Sequence, residues 1–102
     1  MQGDLFAVLA PVSPLTAPGV DDERRRRIRV ALAAYAYEIE DAPIMPDAEY
    51  DALARSINPA VSTGHAVLDA FFRKKFQPHT GAWVREHPGR ERLAQIYRLL
   101  YQ

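Results

Sequence analysis

The chain reads as all-α, a small bundle of about four helices behind an extended proline-rich arm. Three observations carry that reading. Apolar residues recur at helical spacing in several separate segments. Acids, asparagine, proline and glycine bound those segments at the positions where helices start and stop. No stretch alternates apolar and polar residues well enough to make a convincing strand.

The elements follow in chain order. Residues 7–20 hold Pro11, Pro14, Pro18 and Gly19 among small apolar residues. Prolines at that density block both helix and central strand. Residues 1–20 therefore read as an extended arm and 21–102 as a single helical domain. Asp21, Asp22 and Glu23 open the first helix, where acids suit the dipole and Asp21 or Asp22 can cap. Glu23 and Arg27 are spaced i,i+4 as an ion pair. Ile28, Leu32, Tyr35 or Ala36, and Ile39 form the expected apolar stripe. The alanine-rich run 31–36 would let another helix approach closely. Arg24 to Arg27, on a neutral chain beside acids, read as a solvated face rather than a phosphate site.

That helix stops at Asp41-Ala42-Pro43, because Pro43 cannot continue it and biases Ala42 away from helical angles. A second helix spans about 47 to 57, with Tyr50, Leu53, Ala54 and Ile57 on one stripe and Asn58-Pro59 at its end. Ser62-Thr63-Gly64 is a turn, with Thr63 a candidate cap for a third helix. Val67, Leu68, Phe71, Phe72 and then Phe76 give that helix the richest apolar patch in the chain, as core or as a dimer face. Arg73-Lys74-Lys75 suit its C-terminus. Gln77 to Gly81 form a loop, and Ala82-Trp83-Val84 are too short to assign. His87-Pro88-Gly89 restart a helix, with Pro88 near the first turn. Leu93, Ile96, Tyr97 and Leu100 form its stripe.

The composition narrows the function classes. A length of 102 residues is one domain. Lys plus Arg and Asp plus Glu are 13 each, so the net charge is zero. A general affinity for nucleic acid needs a basic excess and is not expected. There is no cysteine, hence no disulfide frame and no thiolate site. No stretch approaches ~18 continuous apolar residues, so no membrane span is expected. Met1-Gln2-Gly3-Asp4 lacks the basic end of a signal peptide, and a cytoplasmic setting is the expectation.

The densest chemistry lies at the corner between the first two helices. Pro46-Asp47 restarts the chain after Pro43, with Asp47 placed to cap the second helix. Tyr50 and Asp51 follow within its first turn, and Tyr37 ends the first helix. Folded back, the two helices would bring Tyr37, Asp47, Tyr50 and Asp51 together. Capping, packing and the helix dipole alone would also account for these residues.

The pattern Tyr-x-Tyr-x-x-x-Asp-Ala-Pro-x-x-Pro-Asp-Ala-Glu-Tyr-Asp, residues 35 to 51, resembles the N-terminal helical hairpin of bacterial NAD-dependent DNA ligases. The likeness covers about residues 24 to 57. In that family the hairpin grips the nicotinamide mononucleotide (NMN) half of NAD. By position, the resemblance implies ligand-binding roles for Tyr37, Glu38, Asp47, Tyr50 and Asp51. Glu38 stands where the family has histidine, an anion in place of a ring. The ligase nucleophile, a lysine in Lys-x-Asp-Gly, is absent. The only lysines are Lys74 and Lys75, followed by Phe76-Gln77. The family's zinc cysteines are absent too, so the chain is not a ligase.

A second resemblance lies at the start. Gln2-Gly3-Asp4-Leu5-Phe6 is similar to the short peptide with which bacterial replication proteins dock on the DNA sliding clamp. Gly3 departs where leucine is preferred. Gln2 would offer amide hydrogen bonds, and Leu5 and Phe6 would fill an apolar pocket from an extended strand. Leu5, Phe6, Val8 and Leu9 could equally fold back on the core.

Other constellations carry less. His65, His79 and His87 have spacings that fit no metal-binding pattern. Ser62, His65 and Asp69 lack the nucleophile elbow a hydrolase would need. Trp83 reads as a core anchor, or, if partly exposed beside Tyr37 and Tyr50, as an aromatic wall for a flat ligand.

The leading expectation is a non-enzymatic interaction module. It would be an accessory protein of a bacteriophage or mobile element that binds a bacterial replication or defence protein, the sliding clamp being one such partner. The alternative is a nucleotide-binding domain for NMN or NAD. A third reading, with Glu38 or Asp47 as general base on such a nucleotide, is not required by any motif.

Overall fold

Residues 19–102 are described by a computed structural model. They form four α-helices and one 3₁₀ helix: α1 (Val20–Glu38), α2 (Asp47–Ser56), α3 (Ala66–Lys74), the 3₁₀ helix (Ala82–Glu86) and α4 (Arg90–Tyr101). No strand occurs among the described residues, in keeping with the all-α expectation. None of these helices is long and apolar enough to cross a membrane. The arm, with Gln2, Asp4, Leu5 and Phe6, lies outside the described residues.

Helix α1 is the hub, packing against α2, the 3₁₀ helix and α4. Its buried face corrects the expected stripe. Ile28 is 55% exposed and Ile39 38%, whereas Glu23 and Arg27 are buried. Val30, Ala31, Leu32, Ala34, Tyr35 and Ala36 join the core with Leu53, Ala54, Ile57, Phe71, Phe72, Trp83, Val84, Leu93 and Tyr97. A hydrophobicity pattern cannot anticipate this rotation, because charged side chains enter a core only when partners elsewhere in the chain meet them.

Those partners are present. The buried Arg27 donates from Nε to Glu23 Oε2 at 2.8 Å and from Nη1 to Asp69 Oδ1 at 2.9 Å. Its Nη2 reaches the carbonyls of Asn58 at 2.8 Å and Val61 at 3.0 Å. Its guanidinium lies 5.1 Å from the centroid of the Phe72 ring. Asp69 also accepts from the Thr63 backbone N–H at 2.9 Å and hydroxyl at 2.6 Å. Burial alone would raise the Asp69 carboxyl. The Thr63 and Arg27 hydrogen bonds outweigh it and hold the group below the ordinary carboxylate value. One guanidinium thus fastens α1 to α3 and to the loop between α2 and α3. The solvated-face reading of the arginine run fails at Arg27.

Several helix ends differ from expectation. Gly19, at φ 86°, precedes α1, and no aspartate side chain caps it. Pro46 takes the cap position of α2 with extended angles, and Asp47 makes no side-chain cap bond. His65, not Thr63, caps α3, its ring accepting from the Leu68 N–H. Thr63 is committed instead to Asp69. Gly89 precedes α4, leaving Pro88 outside it. Phe71 and Phe72 are core, packed with Phe76 and Trp83. Val67, expected in the same patch, is 60% exposed.

Candidate functional site

The corner between α1 and α2 is built by backbone geometry. Asp41 adopts the left-handed region at φ 55°, which aspartate tolerates better than most residues. The Ala42 N–H then closes onto the Ala36 carbonyl at 2.9 Å. Pro43 to Pro46 cross to α2, where the Tyr50 N–H bonds the Pro46 carbonyl at 3.0 Å. Because Pro46 occupies the cap position, the Asp47 carboxylate is left to face elsewhere.

It faces a cleft. Tyr37, Glu38, Asp47, Tyr50 and Asp51 all line one concavity of about 450 Å³. The structure therefore brings together all five side chains singled out at the corner. Tyr37 is 57% exposed at the surface of the cleft. Tyr50 is half-buried, and that burial raises its phenol above the ordinary value, so it stays a neutral donor. Tyr35 belongs elsewhere: it is buried, packs at a tilt against Tyr97 with ring centroids 5.9 Å apart and donates to Glu40 at 2.7 Å.

The cleft has a further wall that sequence reasoning missed. His79, Thr80 and Gly81 line it from the loop after α3. The Thr80 carbonyl accepts from the Tyr50 hydroxyl at 3.1 Å and from Trp83 Nε1 at 2.8 Å. Gly81 lies against α1, so that a Cβ placed there would come 3.3 Å from Ala34 Cβ and 3.4 Å from Glu38 Cγ. The alanine-rich run of α1 was expected to admit a close neighbour. That neighbour is the 3₁₀ helix and its leading glycine. Trp83 itself is 4% exposed and packs among Phe71, Phe72 and Phe76. It supports the wall from behind and does not line it, which overturns the aromatic-wall reading.

The charges around the cleft are partly matched. Arg85 donates from Nη2 to the Glu38 carbonyl at 2.8 Å and to its carboxylate at 3.3 Å. Arg55 stands 3.8 Å from Asp51 in an exposed pair. Among the described residues Asp47 has no ion-pair partner. Lys74 and Lys75 lie at the end of α3, outside the cleft lining.

No family model matches the chain, and no solved structure does. The chemistry of the cleft rests on its own residues.

The remaining candidates come apart. No group of three or more His, Asp or Glu residues is placed to hold a metal among the described residues. His65 caps α3, and Asp69 is buried against Thr63 and Arg27, so Ser62, His65 and Asp69 form no relay. His87 is half-buried with its ring edge-on to Phe71 at 5.2 Å, and its Nδ1 accepts from the Gly89 N–H at 2.9 Å.

Proposed function

We propose that the α1–α2 cleft binds a nicotinamide nucleotide of the NMN or NAD class, without turning it over. One observation carries the reading. The five side chains that the ligase-hairpin resemblance marks as ligand-gripping share a single open cleft, in the size range of roughly 300–1,000 Å³ typical of small-molecule sites. The phenols of Tyr37 and Tyr50 offer faces to a flat, electron-poor ring. The carboxylates of Asp47 and Asp51 are acceptors for ribose hydroxyls. Glu38, where the family has histidine, has its charge offset by Arg85. No lysine stands in the lining to take an adenylyl group, so the role is recognition.

Calorimetry with NMN and with NAD tests this. Saturable heat, weakened by Tyr37→Ala and by Asp47→Asn, is the expected result. Absence of heat at millimolar ligand ends the reading.

A second reading, a module that binds a bacterial replication or defence protein, draws support from α4. Its last turns leave Leu99 83%, Leu100 63% and Tyr101 50% exposed, adjacent apolar side chains that a partner could cover. Capture of a partner by the full chain supports it. In the sliding-clamp version, Leu5→Ala with Phe6→Ala should abolish clamp binding, and unchanged affinity removes that version.

A further inference from the structure

The walls of the cleft differ in charge. The helical hairpin supplies Glu38, Asp47 and Asp51, while the loop supplies His79, Thr80 and Gly81 and no carboxylate. An anionic group would be repelled at short range from Asp47, and from Asp51, whose pair with Arg55 is long and exposed. The loop is the better neighbour for it. Among the described residues, His79 is the only lining side chain able to carry positive charge. Thr80 Oγ1 accepts from the Ala82 N–H at 3.1 Å, which leaves its own O–H as a donor. Glu38, whose side-chain stem passes closest to Gly81, is the carboxylate that Arg85 offsets.

We propose that this loop, through His79, reads the phosphate of a nucleotide whose ring and ribose lie along the hairpin. The inference rests on the nucleotide-binding reading above. It makes the cleft selective for a zwitterion, with cationic ring and hydroxyls on the acidic wall and phosphate on the loop. It also gives a residue outside the ligase-like segment a specificity role.

The test is calorimetry on the full chain with NMN and with nicotinamide riboside, which lacks only the phosphate. The wild-type chain should bind NMN roughly three- to tenfold tighter than the riboside, the scale of one partly exposed charge-assisted contact. His79→Ala should erase that difference by weakening NMN alone, and His79→Lys should restore it. His79 is exposed, so these variants should fold. Equal binding of the two ligands by the wild-type chain, or a preference that survives His79→Ala, overturns the inference while leaving the nucleotide site standing. Failure of both ligands to bind the wild-type chain removes the site and this inference together.

Discussion

Tyr50 donates its hydroxyl to the carbonyl oxygen of Thr80 across 3.1 Å, joining residues 30 positions apart. The same carbonyl takes the Trp83 indole N–H at 2.8 Å. This oxygen is the point where hairpin, loop and aromatic core meet, and it fixes the loop wall of the cleft relative to α2.

Tyr50→Phe removes one of the two donors and nothing else. The carbonyl keeps its indole partner, so no buried acceptor is orphaned. The cost should be about 0.5–1.5 kcal/mol, read from urea unfolding. Amide exchange in residues 77–81 should quicken more than exchange in α1. Equal protection in the loop would show that the bond does not hold it.

Arg27→Met should be the most damaging single change outside the aromatic core. It leaves Glu23, at 0% exposure, and Asp69, at 3%, without their shared cation. Breaking a buried pair from one side costs about 3–5 kcal/mol, a large part of a small domain's stability of about 5–15 kcal/mol. The urea midpoint should fall steeply. Arg27→Lys should fall nearly as far, since one ammonium cannot reproduce a fork that reaches Glu23, Asp69, Asn58 and Val61. A loss under about 1 kcal/mol in both variants would refute this account.

Acid should weaken the fold in two separable stages. Burial holds the His87 imidazole down to about 4, against an ordinary 6.5. The folded chain keeps it neutral, while the unfolded chain takes up a proton below 6.5. The stability from His87 is therefore complete above pH 6.5 and drains away as the pH falls towards 4. Asp69 is shifted downward too, but as a carboxylate its contribution is complete above its unfolded value of 3.8 and is lost only at lower pH. Urea midpoints across this range should decline first through the histidine window. His87→Gln should flatten that first segment and leave the second.

Gly81→Val probes the close approach to α1. The nearest atoms to a new Cβ include Ala34 Cβ at 3.3 Å and Ala34 Cα at 3.6 Å, and neither can rotate aside. The branched side chain should force the loop outward at a cost of roughly 1–3 kcal/mol. Gly81→Ala makes the same Cβ contact without the two added methyls and should cost less. Cleft ligands should weaken in the same order, because the displaced loop no longer lines the site.

How far the sequence foretold this depended on how local each signal was. Tyr50, Leu53, Ala54 and Ile57 showed the inner face of α2 because their spacing is that of a helix with one wet side. The hairpin half of the cleft was visible because proline, aspartate and tyrosine sit close together in the chain. The loop half was not, since nothing near His79 or Thr80 announces a partner 30 residues upstream. The alanines of α1 gave half of a clue, and Gly81 beside the only tryptophan gave the other half. The face of α1 was misjudged for a related reason. Glu23 and Arg27 look like solvent-loving residues until Asp69 and the carbonyls of Asn58 and Val61 arrive from far along the chain.

Trp83 is the chain's one tryptophan, and its indole N–H is bonded to the backbone of a residue lining the cleft. Its intrinsic fluorescence is therefore a built-in optical reporter. A blue-shifted emission would mark the intact aromatic core. Any ligand that tugs on Thr80 would alter the same emission without a label.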